Sequence, residues 1–148
     1  MVALGGGVVG DLAGFAASTY MRGIAVVQAP TTLLAMVDSS VGGKTGVNLE
    51  AGKNLVGTFK QPAHVCACTS TLATLPEREW RCGCAEVAKA AVIDSDDFFF
   101  WLLGSADALA ARDEAVTAEA IARSVVFKAR VVAEDKEESR GVRECLNY

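Results

Sequence analysis

The chain has 148 residues, a formal net charge of -4, a pI near 5.0 and a mean hydropathy of +0.30, with 51% hydrophobic residues. That length fits about one domain's worth of core. The acidic balance excludes a nucleic-acid-binding protein, because a phosphate backbone calls for a net basic face.

The start, "MVALGGGVVGD", has no basic leader region, and the most apolar run, "DDFFFWLLG", is far below the roughly 20 residues of a membrane span. A cytoplasmic protein with no membrane partner is expected. "MVAL" predicts a buried strand running into a glycine turn, and "VVGDLAGFAASTYM" a helix with a small-residue face. "GIAVVQAP" predicts a second strand, in a sheet covered on both faces.

"TTLLAMVDSS" reads as helical, with Thr31 or Thr32 able to cap it. "KTGVNL" and "NLVGTF", joined by "EAGK", predict a hairpin, and "HVCACTS" a further strand. From Thr74 the signals turn helical. Thr74 and Glu77 have the spacing of a capping box, with Pro76 in the first turn. "EREWRCGCAEVAKAAVI" continues that helix. "DSDDFFFWLLG" predicts a second helix ending at Gly104, and "DEAVTAEAIARSVVFKARVVAEDKEE" a long amphipathic third. "GVRECLNY" has apolar residues at helical spacing, and both ends of the chain read as cut from something larger.

The five cysteines, Cys66, Cys68, Cys82, Cys84 and Cys145, read as small buried thiols in the reduced state. Cys66 and Cys68 on a strand would face opposite sides. Cys82 and Cys84 on a helix would lie about 200° apart, so a four-cysteine zinc site is not expected.

"GGGVVG", Gly5 to Gly10, fits the G-x-G-x-x-G pattern between a strand and a helix, where a diphosphate can face the positive helix end. The second strand offers Gln28 where an acidic ribose partner is usual, while Asp11 follows the glycines at once. "VDSSVGGKTGVN" ends like a triphosphate-binding loop. However, the position of that loop's first glycine is Asp38, whose carboxylate would point at the phosphate. Asp38, Lys44, Lys53 and Asn54 instead suit a hydroxylated, phosphorylated small molecule, with lysines on the phosphate and the aspartate on hydroxyls. Glu86 and Lys89, at i and i+3, read as a surface ion pair. Lys128, Arg143 and Asn147, each taken alone, read as surface groups.

Together these stretches resemble the 3-dehydroquinate synthase family, through "VALGGGVVGDLAGFAASTYMRGI", "QAPTTLLAMVDSSVGGKTGVN", "GKNLVGTFKQP", "TLPEREW", "AEVAK" and "GVRECLNY". The resemblance implies an α/β followed by all-α fold. Residues 1–74 would be the end of a Rossmann-like NAD-binding domain, and residues 75–148 the first helices of a helical metal-binding domain. It implies NAD contacts at Gly7, Val8, Val9, Gly10 and Asp11, at Thr31 and Thr32, at Lys44 and Lys53, and at Thr71, Leu72, Ala73 and Thr74. Asp38, Lys44, Asn54, Lys89, Lys128, Arg143 and Asn147 would bind substrate.

Glu86 would be the first ligand of a divalent metal, zinc or cobalt, whose histidine ligands the family carries beyond Asn147. The implied reaction is phosphate elimination and ring closure of 3-deoxy-D-arabino-heptulosonate 7-phosphate, in an enzyme that is a homodimer at full length. A related cyclase of the inosose or valiolone synthase type is the nearest alternative; a truncated, non-catalytic product is the alternative from another class. Cys68, where the family often has aspartate, and Ala90-Ala91 after Lys89, where Tyr-Gly is usual, depart from the pattern.

Overall fold

The computed structural model describes residues 1–135 and 138–147. Three strands form a parallel sheet in the order β1-β2-β5: Val2–Gly5, Val27–Pro30 and His64–Val65. Helix α1, Gly7–Thr19, covers one face through a small core of Ala3, Ala17 and Val26. The other face of β1 is open, with Val2 and Leu4 each more than two-thirds exposed, contrary to the two-sided covering expected from the apolar strands.

A second sheet is the antiparallel hairpin of β3, Lys44–Leu49, and β4, Gly52–Phe59, as the spacing predicts. Its first strand lies against α1, and the approach is close. A Cβ on Gly14 would fall 2.4 Å from Thr45 Cγ2, and one on Gly10 would fall 2.7 Å from Gln28 Oε1. The small face of α1 is therefore what lets helix, sheet and hairpin meet.

The helical unit holds α2, Glu77–Asp94, α3, Asp96–Ala110, and α4, Glu114–Glu134. Its core is built on Trp80, Val87, Phe98, Ala120, Ile121 and Phe127. The "TTLLAMVDSS" stretch contributes to the same core. Its middle is a π-helical turn, Ala35–Ser39, and Leu33 and Met36 are fully buried among the helical residues. Thr32 Oγ1 accepts the Ala35 amide at 3.2 Å, the cap expected there.

Several local expectations are corrected. The "HVCACTS" strand is only two residues long, because the chain turns at Thr69–Thr74 into a 3-10 helix. Thr74 closes that 3-10 helix, so the Thr74–Glu77 capping box does not form. Pro76 is the N-cap residue of α2, and Glu77 pairs with Arg81 and Arg112. Helix α3 runs through Gly104 to Ala110, since nothing at that position forces a left-handed turn. Ser95 and Asp113 cap α3 and α4, accepting the amides of Phe98 and Val116.

α4 stops at Glu134, short of the predicted end; Lys136 and Glu137 of that stretch lie outside the described residues. "GVRECLNY" forms a 3-10 helix over Val142–Asn147. The thiols are not buried: four of the cysteines are exposed and Cys84 is half-buried. None of the described helices is long and apolar enough to cross a membrane.

Candidate functional site

Helix α1, the π-helical turn and the hairpin line a cleft of about 560 Å³, to which α4 and the Val142–Asn147 helix also contribute. Six residues singled out in the sequence line it: Asp11, Asp38, Lys44, Asn54, Lys128 and Arg143. They come from five separate stretches, so only the fold brings them together.

Asp38 sits in the π-helical turn, and its carboxylate forms an ion pair with Lys128 of α4. The same ammonium donates to the Asp38 main-chain carbonyl at 2.7 Å. Burial pushes the Lys128 ammonium below the ordinary lysine value, against the opposing pull of Asp38 and then of Glu86. Asp11, half-buried one turn into α1, is held above the ordinary carboxylate value. Burial is the main cause, followed by the charge of Asp38, and Lys128 acts in the other direction.

Lys44 opens β3, and its ammonium reaches both carboxylate oxygens of Glu138, at 2.8 and 2.6 Å. In a triphosphate loop the lysine would open a helix; here it opens a strand. The two glycines before it have φ of +111° and +70°. A Cβ on Gly42 would fall 2.8 Å from Arg143 Nη2, and Arg143 donates to the Gly42 carbonyl at 3.1 Å. The glycine pair thus lets a buried guanidinium lie against the backbone. Arg143 is 2% exposed and Lys128 9%, which overturns their reading as surface groups; covalently distant neighbours bury both.

Glu86 and Lys89 form the expected ion pair on α2, partly buried rather than fully solvated. Lys89 also donates to the Leu146 carbonyl at 3.0 Å, tying α2 to the C-terminal 3-10 helix. Asn147, in that same helix, is exposed and does not line the cleft.

The first turn of α1 has the form a diphosphate needs. Gly6 caps it without any side-chain bond, and a Cβ on Gly7 would come within 3.1 Å of Ser39 Oγ. Val8 and Val9 of that turn are exposed, and Thr31 follows β2, its amide donating to the Gly5 carbonyl at 2.9 Å. Gln28 is no ribose partner, since its side chain is buried and donates to the Gly10 carbonyl. Lys53 is exposed on β4.

The Thr71 to Thr74 stretch lies apart from this cleft. Leu72 and Ala73 line a separate depression with Trp80 and Arg112. The described residues do not make a metal centre. Glu86 is a single carboxylate engaged by Lys89, and no three histidine, cysteine, aspartate or glutamate side chains gather among them.

The sequence profile described as 3-dehydroquinate synthase N-terminal matches residues 1–82, and the C-terminal profile of the same enzyme matches residues 83–148. The chain belongs to the 3-dehydroquinate synthase family. It is 56% identical over 147 residues to the 3-dehydroquinate synthase of Nitrosospira multiformis, and 58% identical over 147 residues to that of Azotobacter vinelandii. Each match covers 99% of this chain and 40% of the relative, so the chain spans about two-fifths of the length of these enzymes.

Among solved structures, 2-epi-5-epi-valiolone synthase from Streptomyces hygroscopicus, with NAD+ and Zn2+ bound, superposes with a TM-score of 0.90 at 32% identity. A 2-deoxy-scyllo-inosose synthase complexed with carbaglucose-6-phosphate, NAD+ and Co2+ gives 0.81 at 31%. These cover 99% of this chain and 41% and 40% of theirs. The fold is that of the sugar-phosphate cyclases.

Residues with no sequence signal also enter the cleft. Glu138, which the sequence places at the end of the long third helix, lies past the end of α4 and lines the cleft, and Phe59 lies under Arg143 at 5.8 Å.

Proposed function

We propose that the chain is the central part of a 3-dehydroquinate synthase. Its substrate is 3-deoxy-D-arabino-heptulosonate 7-phosphate and its product 3-dehydroquinate, formed with loss of phosphate. The observation that carries this reading is the convergence of Asp11, Asp38, Lys44, Asn54, Lys128 and Arg143 on one cleft beside an uncapped glycine-turn helix.

In this reading Lys44 and Arg143 meet the anionic groups of the sugar. Asp38 accepts from its hydroxyls, and Lys128 holds Asp38 in place. Asn54, which lines the cleft from the hairpin, would offer its amide to the ring. Asp11 stands where the cofactor and sugar meet and, being partly desolvated, is suited to hold a proton. Glu86 contributes one metal ligand, with the remaining donors lying outside the described residues. NAD, when bound, would supply a reversible oxidation of a ring hydroxyl, which acidifies the C–H beside the new carbonyl so that phosphate can leave from the carbon one further on.

The cofactors are thus NAD and a divalent cation, zinc or cobalt, as named for the solved cyclases. The division at residues 74 and 75, the cytoplasmic setting, the homodimer, and the roles of Lys53, Thr71, Thr74, Lys89 and Asn147 belong to the same proposal. The valiolone and inosose alternatives rest on structures near 32% identity, against 56–58% for the dehydroquinate synthases cited above.

The test is phosphate release by the full-length protein on a panel of sugar phosphates that includes the heptulosonate and glucose 6-phosphate. Turnover should favour the heptulosonate, and Lys44→Ala should reduce it at least tenfold while the fold persists. Preference for another sugar, or an unaffected Lys44→Ala variant, refutes the reading.

A further inference from the structure

Asp135, just past α4, is a carboxylate buried to 2% exposure and so far without a role. A charge buried that deeply needs donors, and Asp135 draws them from backbone amides. Oδ1 accepts from Ser139 N at 2.9 Å, and Oδ2 accepts from Arg140 N at 3.1 Å and Val142 N at 3.2 Å. The Asp135 carbonyl takes the Glu138 amide at 3.3 Å. One side chain thereby fixes the backbone around Glu138 and Gly141, whose φ angles of +55° and +76° need such support.

Two cleft groups hang from this anchored turn. Glu138 reaches back to the Lys44 ammonium, and Arg143, next in the chain after Val142, lies against the Gly42 carbonyl. Both contacts join the segment after α4 to the start of β3, about a hundred residues away. Asp135 is the element that sets where they fall.

We propose that Asp135 is a positioning residue for anion recognition. It touches no ligand, yet by seating Glu138 and Arg143 it sets the affinity of the cleft for the phosphate of a sugar phosphate. This rests on the reading of the cleft as a sugar-phosphate site.

Asp135→Asn keeps the size of the side chain but turns one acceptor oxygen into an amide donor that faces backbone N–H groups. The full-length protein and this variant are titrated calorimetrically with inorganic phosphate and, separately, with NAD, and are assayed for kcat and KM on the heptulosonate phosphate. Phosphate affinity should fall at least tenfold, about 1.4 kcal/mol, and KM should rise similarly. NAD affinity should stay within twofold, and kcat should change less than KM.

Equal loss of NAD and phosphate binding would mark a merely structural residue and overturn the proposal, as would unchanged phosphate affinity. If Asp135→Asn does not fold, Gly141→Ala strains the same turn without removing a buried group and carries the same expectations. Wild-type protein that binds phosphate but turns over no sugar phosphate would sink the enzymatic reading while leaving the phosphate comparison decisive. Wild-type protein that binds no phosphate would sink both.

Discussion

Gly42→Ala should be among the most damaging single-methyl changes in the molecule, and the reason lies in Arg143. At φ +111° an L residue is strained by about 1–2 kcal/mol. The added Cβ would also sit 2.8 Å from Arg143 Nη2 and 3.2 Å from Val132 Cγ2. Arg143 is 2% exposed and cannot swing into solvent without leaving its bond to the Gly42 carbonyl. Losing a charge-assisted bond of that kind costs about 1.5–3 kcal/mol. The two effects together reach about 2.5–5 kcal/mol, a large share of the roughly 5–15 kcal/mol that stabilises a typical domain. Gly104→Ala is the matched control. It lies inside α3 with nothing within 4 Å of the new Cβ, so it should stabilise by about 1 kcal/mol through helix propensity. Equilibrium urea denaturation of the full-length protein and both variants measures the shift in midpoint. A Gly42→Ala variant within 1 kcal/mol of wild type would show that the glycine pair serves no packing against Arg143.

Asp11→Asn should raise the melting temperature of the ligand-free protein at pH 7. The Asp11 carboxyl is held above its unfolded value near 3.8, first by burial and then by Asp38. The folded state therefore takes up that proton before the unfolded state does. The stability from this group is full below pH 3.8 and is lost as pH rises through the raised folded value. The advantage of the asparagine variant should accordingly shrink as the pH is lowered toward 4, and scanning calorimetry showing a pH-independent difference would contradict it. Asp113→Ala removes the oxygen that accepts the Val116 amide at 2.9 Å and should cost about 1 kcal/mol in urea midpoint, without altering NAD affinity.

Local chemistry that acts within a few residues was legible in the sequence. The glycine turn into α1, the hairpin around "EAGK" and the acidic starts of α3 and α4 follow from spacing and residue type, and they stand in the structure. Legibility failed where partners are far apart in the chain. Lys128, taken alone, reads as a surface residue; in the fold it is buried against Asp38, ninety positions earlier, which accepts its hydrogen bonds. The run "EDKEE" reads as the end of the long amphipathic helix. Yet Asp135 turns inward to backbone amides and Glu138 outward to Lys44, which no spacing rule distinguishes. The capping box at Thr74 failed because Thr74 closes the preceding 3-10 helix, leaving Pro76 as the N-cap residue and Glu77 to pair with Arg81 and with the distant Arg112. The six cleft residues were identifiable by resemblance, but which of them are buried and how they are paired was not.

The pairing changes how anion binding in an acidic protein should be understood. Lys44 faces Glu138, Lys128 faces Asp38 and Lys89 faces Glu86, so each of these ammonium groups already has a carboxylate partner. On the sugar-phosphate reading proposed above, a phosphate would meet ammonium groups that their carboxylates already hold in place, Glu138 orienting Lys44. Of the three pairs, Lys128–Asp38 is the least free to open toward a ligand. Its ammonium is buried, and separating the pair would leave Lys128 charged and desolvated. Lys44 is the most accessible of the three, at 53% side-chain exposure, and its carboxylate partner belongs to the turn fixed by Asp135 rather than to a helix. On the proposed reading, the lysine that first suggested a triphosphate loop is therefore the cation of the three that a sugar phosphate would reach most easily.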